Sequence, residues 1–234
     1  MIAAMIVMAA MATYLIVPLL VPRALALIAA QAALMVVPIA VIVVAHPVRP
    51  FAALGLRGAR PRMFIAAIAV GATMWYVNVR LAALLPLPAR QLQKLEALVD
   101  QPSLASALAM FALVPALCEE ILFRGVLACA LGRSLPIALA AVISSAAFAA
   151  YHLSLVQAVP TLTLGFMLAV IAIRADSVLP TIVAHALNNA LAITMSRREL
   201  PELTGWLDRH PTLTLAGCVT TTAWGIAIAV RGPA

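Results

Sequence analysis

The sequence predicts an all-α fold, a polytopic membrane helix bundle of about eight transmembrane helices. The first observation behind this prediction is composition: 65% of the 234 residues are hydrophobic and 10% are charged, whereas a water-soluble domain has roughly 25% charged residues. The second is that the apolar residues form long runs, and a helix needs about 20 of them to cross a bilayer. Only helices and closed barrels satisfy every backbone group in lipid. Because the runs are too long for barrel strands, the spans are predicted to be helical.

Eight apolar windows follow one another along the chain, and each predicts one helical span. Ala-rich stretches such as "LAAVISSAAFAA" indicate close helix packing, since small residues let membrane helices approach one another. No soluble domain interrupts the windows, so residues 1–234 are expected to form a single integral-membrane domain. The windows cover residues 1–21, 24–45, 63–85, 103–131, 135–151, 158–174, 177–196 and 211–230.

Two longer loops separate these windows. The first, "HPVRPFAALGLRGARPR", contains four arginines and no acid. By the positive-inside rule this loop faces the cytoplasm, and eight spans then put both termini inside. The second loop, "PLPARQLQKLEALVDQPS", is mildly amphipathic and predicts a short interfacial helix. In this orientation the fifth span carries His152 towards the outer surface, while Glu119 and His185 lie nearer the middle.

The formal net charge of +7 indicates contact with lipid rather than with nucleic acid. Most Lys and Arg residues lie between apolar runs, where they orient loops and meet anionic headgroups. No basic patch is interleaved with aromatic residues, so nucleic acid is not an expected partner. The lipid bilayer is the expected environment, in the plasma (inner) membrane, and no residue pattern predicts an oligomeric state.

A short set of polar residues lies inside the apolar windows, where solvation disfavours them. A carboxylate at mid-bilayer costs about 2.5–3.5 kcal/mol even on the insertion scale that gives the lowest cost. Such residues therefore face a protein interior or a wet cavity, and they usually mark function. The set comprises Glu119, Glu120, Arg124, His152, His185, Asn188 and Asn189.

The spacing of the charged residues separates the two carboxylates. Glu120 and Arg124 are four residues apart, which puts them one turn apart on the same helix face and favours an ion pair. Glu119 is turned about 100° away from that face, so its carboxylate is less directly neutralised. A free carboxylate beside a structural ion pair is typical of a general base.

Two further pairs at i,i+4 spacing supply imidazole and amide groups. Phe148 and His152 form one pair, and His185 and Asn189 form the other. A carboxylate, two histidines and an amide are the groups needed to hydrolyse a carbonyl bond. The carboxylate with one histidine activates water, and the other histidine with the amide stabilises the oxyanion. The residues alone leave two alternatives, a proton relay in a transporter and a non-enzymatic interaction protein. The sequence contains neither inverted repeats nor paired broken helices, and this counts against the transporter.

The three motifs, in their order, resemble the signature of the CPBP family. This family comprises intramembrane proteases related to the CAAX prenyl endopeptidases and to bacteriocin-processing, Abi-like proteins. The resemblance covers roughly residues 103–196, which we expect to be the catalytic core. The motifs are EExxxR (Glu119, Glu120, Arg124), FxxxH (Phe148, His152) and HxxxN (His185, Asn189).

The resemblance implies a glutamate-type endopeptidase that cleaves a membrane-associated peptide or protein. Glu119 is then the base that activates water together with His152, and His185 with Asn189 forms the oxyanion hole. Glu120 and Arg124 are a supporting pair, and Phe148 helps to shape the site. The implied substrate is a lipidated or prenylated C-terminal tail, a C-terminal sorting helix or a peptide leader.

The same resemblance implies a mechanism without a bound cofactor, with zinc as the alternative. Two Glu and two His can act as zinc ligands, which would make the protein a membrane metalloprotease. However, the H-E-x-x-H pattern of many zinc proteases is absent from the sequence. The expected Glu120–Arg124 pair also places a cation where a metal ion would be repelled.

Overall fold

A computed structural model of the chain describes residues 2–21, 23–45, 50–86 and 88–231. In this part of the chain all regular structure is helical, which confirms the predicted all-α class. The helices are α1 (Ile2–Leu20), α2 (Arg23–Ala45), α3 (Pro50–Ala53), α4 (Pro61–Ala82), α5 (Ala89–Asp100), α6 (Leu104–Gly132), α7 (Ile137–Tyr151), α8 (Leu155–Ala175), α9 (Leu179–Ser196), α10 (Pro201–Arg209) and α11 (Pro211–Val230).

Each of the eight apolar windows corresponds to one helix, namely α1, α2, α4, α6, α7, α8, α9 and α11. Four of these, α4, α6, α8 and α11, are long and apolar enough to cross a membrane. The protein is therefore an integral, multi-pass membrane protein, and the count of eight spans stays a prediction. The short helix expected after α4 is present as α5 and buries none of its residues. Residues 46–49, which include Arg49 of the Arg-rich loop, lie outside the described residues.

Helix α6 occupies the centre of the bundle. One apolar core joins α1 and α2 to α6 and α7, with Leu34, Phe123 and Tyr151 among its members. A second core joins α4, α8, α9 and α11 around Val70 and Leu168. Every residue of α6 from 118 to 129 is buried, so the Glu pair lies in the interior and not at the lipid-facing surface.

Helix α6 is not a regular α-helix. It widens into π-helical turns at Ala109–Leu113 and again at Glu120–Ala128. Such π turns inside α-helices are rare and frequent at functional sites. Between them stands Pro115, which has no N–H to donate to the carbonyl of Phe111, four residues earlier. That carbonyl is therefore available to another donor.

Two glycines let neighbouring backbones approach the helices that carry the polar residues. A Cβ at Gly125 of α6 would lie 2.2 Å from the carbonyl oxygen of Leu54. A Cβ at Gly71 of α4 would lie 2.4 Å from the carbonyl oxygen of Ala184 in α9. Since neither position has room for a larger residue, the first contact fixes α6 closely against Leu54, and the second fixes α9 closely against α4, one residue before His185.

Helix α7 is shorter than the hydrocarbon layer of a bilayer is thick. Its 15 residues rise about 22 Å, less than the roughly 30 Å of hydrocarbon in a bilayer. Tyr151, the last residue of α7, donates a hydrogen bond from its hydroxyl to Glu119 (3.4 Å). The end of α7 therefore lies beside Glu119, and the position of His152 towards the outer surface stays a prediction. After His152 the chain turns at Leu153, whose φ of 48° lies in the left-handed region.

Candidate active site

Glu119 lies in the bundle interior, with 3% of its surface exposed. Two side chains from other helices donate to its Oε1 atom, the Tyr151 hydroxyl (3.4 Å) and the Gln31 amide Nε2 (3.3 Å). Its other oxygen, Oε2, lies 3.8 Å from Nε2 of His185. The two oxygens therefore have different environments: Oε1 is held by neutral donors and Oε2 faces an imidazole.

The ion pair expected from the EExxxR spacing is present. Nη1 of Arg124 lies 2.8 Å from Oε1 of Glu120, and both side chains have 0% exposure. The same Oε1 atom lies 2.8 Å from Nδ1 of His185. Because an ionised carboxylate can only accept, Nδ1 of His185 carries the proton of this bond. Glu120 thus fixes the orientation of the His185 ring.

The Arg124 guanidinium is enclosed by an aromatic ring and by α8. Its Cζ lies 4.2 Å from the centroid of the Phe148 ring, a cation–π arrangement. On α8, a Cβ at Gly165 would lie 3.3 Å from Nη2 of Arg124 and 3.3 Å from Cδ1 of Phe148. The absence of a side chain at Gly165 therefore leaves the space that the buried cation occupies.

His152 joins the cluster through aromatic contacts. Its ring lies edge-on to Phe148 (4.9 Å between centroids) and to Tyr151 (4.8 Å). Phe148 also contacts the ring of His185 at 6.0 Å, so it lies between the two histidines. Nδ1 of His152 lies 2.9 Å from the Phe148 carbonyl. Since a carbonyl only accepts, a neutral His152 carries its proton on Nδ1 and presents the lone pair of Nε2 for proton transfer.

Asn189 lies one turn after His185 and is held by two hydrogen bonds. Its Nδ2 donates to the carbonyl of Phe111 (3.1 Å), the carbonyl that Pro115 leaves without its α-helical donor. Its Oδ1 accepts from Nδ2 of Asn188 (3.1 Å). In the part of the chain that the structure describes, Asn189 makes no hydrogen bond to a carboxylate or to a histidine. One N–H of its amide remains available.

The cluster contains buried polar atoms that need partners from outside the described residues. Buried donors and acceptors are nearly always paired with protein or ordered water, so this interior is suited to hold water or a polar substrate group. Although Nη1 of Arg124 is close to Glu120, its N–H is not aligned as a hydrogen bond. The buried polar atoms of the cluster without a hydrogen-bond partner among the described residues are Oε1 of Gln31, Oε2 of Glu120, the guanidinium nitrogens of Arg124 and Oδ1 of Asn188.

The sequence interpretation missed two members of this cluster, Gln31 and Tyr151. Gln31 is 6% exposed and is the only polar residue between Arg23 and His46. The solvation argument applied to the other windows would therefore have found it. Tyr151 gave no such signal, because a tyrosine at the end of an apolar helix is common. Its ring packs against Tyr14 of α1, with centroids 4.6 Å apart.

The described residues fit a zinc site poorly. No group of three or more His, Cys, Asp and Glu side chains in this part of the chain is arranged to hold a metal ion. The Arg124 guanidinium at 2.8 Å from Glu120 also occupies the position in which a cation would neutralise that carboxylate.

Residues 101–191 match the family model described as type II CAAX prenyl endopeptidase, Rce1-like. The matched segment begins just before α6 and ends within α9, so it includes all seven positions of the three motifs and excludes α1 and α2. No curated protein and no solved structure matches the chain.

Proposed function

The Rce1-like domain at residues 101–191 supports a peptidase of the CPBP intramembrane family, and from that premise we propose that Glu119 and His152 activate water for cleavage of a peptide bond. The observation that carries the proposal is the buried cluster in which one carboxylate, Glu119, has no cationic partner as close as the one that Arg124 gives to Glu120. A general base must be able to take a proton, and Glu119 is the carboxylate with that freedom.

In the first step, a water molecule gives a proton to Glu119 while its oxygen attacks the carbonyl carbon of the substrate. The C=O π electrons move to the carbonyl oxygen and form a tetrahedral oxyanion. Nε2 of His152, with its lone pair available, orients the water. In the second step the C–N bond breaks, and the departing amine takes the proton that Glu119 holds. As the C–N bond breaks the oxyanion re-forms the C=O bond, so the products are a carboxylic acid and an amine, and the two steps together consume one water.

The oxyanion is stabilised by His185 and Asn189. Since Nδ1 of His185 donates to Glu120 (2.8 Å), this ring donates to the oxyanion through Nε2 when it carries both protons. The remaining N–H of Asn189 is the second donor. Removing one donor of this kind typically costs about 10²–10³ in kcat.

The exposure of the site residues supports entry of the substrate on one side. Glu119, Glu120, Arg124 and His185 have at most 3% exposure, whereas His152 and Asn189 are only half-buried. The turn after His152 exposes Leu153 (77%) and Leu155 (66%). An apolar turn beside the less buried histidine suits a substrate that arrives from the lipid and not from bulk water.

Among the substrate classes, the description of the matched family favours a prenylated C-terminal tail. A sorting helix and a peptide leader are the other classes, and an assay on all three decides between them. We further propose that the chain acts in the plasma membrane, that residues 103–196 form its catalytic core, and that it acts without a bound metal. The Glu120–Arg124 pair supports the last point.

The test is cleavage of fluorogenic probes by the purified full-length chain in lipid nanodiscs. One probe is a prenylated CAAX peptide, one a leader peptide and one a C-terminal helix. We expect one probe to be cleaved and Glu119→Gln to reduce kcat at least about 100-fold, the low end for loss of a general base. Glu96→Gln, on the exposed helix α5, is the matched control and should retain the wild-type rate.

Three outcomes would contradict parts of this proposal. Unchanged cleavage by a folded Glu119→Gln variant would exclude Glu119 as the base. Cleavage that is lost with a chelator and restored by zinc would replace the metal-free mechanism by a metalloprotease. Absence of cleavage of every probe, together with proton flux that depends on Glu119, would favour the transporter.

A further inference from the structure

Gln31 lies in α2, outside the segment that matches the family model. It is 6% exposed and its surroundings are otherwise apolar. Burial of an unpaired amide is costly, so the position needs a compensating partner. That partner is Glu119 of α6, whose Oε1 accepts from Nε2 of Gln31 at 3.3 Å. The helix that the family model does not cover thus reaches the proposed base.

Gln31 of α2 and Tyr151 of α7 act on the same oxygen of Glu119. Both donate to Oε1 of Glu119, and no described residue donates to Oε2 as closely, since His185 lies 3.8 Å away. Two donors on one oxygen restrict rotation of the carboxylate. They leave Oε2 as the atom that can take a proton.

The carbonyl oxygen of Gln31 indicates that the space beside Glu119 holds a further polar group. This atom is buried and has no hydrogen-bond partner among the described residues. Buried acceptors are nearly always paired with protein or with ordered water. A carboxamide already bonded to Glu119 through its nitrogen therefore marks room for water next to the carboxylate.

We propose that Gln31 is a positioning residue of the peptidase site, which holds Oε1 of Glu119 and thereby leaves Oε2 directed to the attacking water. This inference rests on the proposed function, because it requires Glu119 to be the base. It assigns to the α1–α2 pair a part in the chemistry. The α1–α2 pair then does more than pack against the apolar face of α6.

A purely structural role for Gln31 makes a different prediction. If Gln31 only joined α2 to α6, its loss would lower stability and would act independently of Tyr151. If both residues hold the same oxygen, their effects on kcat are coupled, because residues in one hydrogen-bond network are not additive. The kinetic double-mutant cycle therefore distinguishes the two roles.

The experiment compares wild type, Gln31→Leu, Tyr151→Phe and the double variant, with the probe that the wild type cleaves. Gln31→Leu should lower kcat about 10- to 100-fold, as expected for loss of one hydrogen bond to a charged group, with KM nearly unchanged. The double variant should lose less than the product of the two single losses. Gln31→Met, an unbranched apolar side chain of similar length, replaces Gln31→Leu if the latter does not fold.

Ile42→Ala is the matched control, because it removes packing from a buried position of the same helix about 16 Å along the axis from Gln31. It should lower thermal stability and leave kcat within about twofold of wild type, since distant sites usually act independently. A wild-type kcat in either Gln31 variant, or strictly multiplicative losses in the cycle, would overturn the inference while leaving the proposed function intact. Failure of the wild type to cleave any probe would instead contradict the proposed function.

Discussion

At the scale of single residues, the most informative charge is Arg124. It has 0% exposure, and its carboxylate partner, Glu120, has none either. Removing two charges from water is costly, and their attraction offsets this cost only when geometry and additional contacts are good. Here the additional contacts are the Phe148 ring on one side and the space over Gly165 on the other. Arg124 is therefore required chiefly because Glu120 is present.

This interpretation predicts an asymmetric mutational result. Arg124→Leu should lower the free energy of unfolding by about 3–5 kcal/mol, because Glu120 is left as an uncompensated buried charge. Adding Glu120→Leu to the same chain should recover part of that loss. Reversible denaturation in detergent micelles measures both. The exposed control, Arg198→Leu, should change the free energy of unfolding by less than about 1 kcal/mol. A change that small in Arg124→Leu would contradict the prediction.

How much of this cluster the sequence could predict depends on local spacing. Glu120 and Arg124 lie on one helix, so the i,i+4 rule was enough to expect their contact. The bond between His185 and Glu120 joins residues 65 positions apart, and no local rule gives such a contact. The family resemblance implies that Glu119 acts with His152 on water and that His185 acts with Asn189 on the oxyanion. The structure adds that His185 contacts both carboxylates, whereas the catalytic roles stay predictions.

At the scale of helices, the boundaries were predictable and the irregularities were not. Apolar run length located all eight long helices to within a few residues, since crossing lipid demands it. The π turns of α6 left no pattern in the sequence except Pro115. The window 135–151 predicted a short α7. It did not predict that His152 joins the cluster, because that follows from the packing of Phe148 and Tyr151 against the other helices.

Pro115 gives a prediction that belongs to this scale. Proline inside a helix normally destabilises it by about 3 kcal/mol or more, so Pro115→Ala should leave stability unchanged or higher. The restored N–H competes with Asn189 for the carbonyl of Phe111, to which Asn189 now donates at 3.1 Å. The amide of Asn189 then loses its fixed direction. We expect kcat to fall at least about tenfold, a part of the loss of about 10²–10³ that removal of an oxyanion donor causes, with KM unchanged.

Pro160→Ala is the matched control for Pro115→Ala, because Pro160 lies inside α8 and has no contact with Asn189 in the described structure. It should change stability in the same direction and leave kcat unaltered. The measurement is steady-state cleavage together with thermal unfolding of the same samples. If Pro115→Ala were as active as Pro160→Ala, the carbonyl of Phe111 would have no role in orienting Asn189.

At the scale of the whole molecule, the two ends of the bundle differ in their balance of basic and acidic residues. Among the residues that the structure describes, the arginine end has six basic residues and a single acid, Asp176, which pairs with Arg57 and lies 4.0 Å from Arg133. The opposite, mixed end has seven basic residues and five acids, with ion pairs such as Arg197–Glu199 at 3.1 Å. The basic residues of the arginine end are Arg57, Arg60, Arg62, Arg133, Arg174 and Arg231, and those of the mixed end are Arg23, Arg80, Arg90, Lys94, Arg197, Arg198 and Arg209.

These numbers refine the argument for orientation. Counting Lys and Arg alone does not separate the ends, so the positive-inside rule has little force here. Formal net charge does separate them, because the anionic cytoplasmic leaflet attracts the end with the larger excess of basic over acidic residues. We therefore expect the arginine end in the cytoplasm. His152, at the end of α7 away from the arginine end, then lies towards the outer half of the bilayer, and substrates reach the site from that half.

Cysteine labelling of intact cells tests this orientation. Gly58→Cys lies at the arginine end, where a side chain meets no atom within 4 Å, and Glu202→Cys lies at the mixed end. A membrane-impermeant maleimide should label Glu202→Cys in intact cells and Gly58→Cys only after lysis. Cys118 and Cys129 are buried, and Cys218, which is partly exposed, is replaced by Ala in both chains. The reverse pattern of labelling would put the arginine end outside and would move substrate entry to the cytoplasmic half.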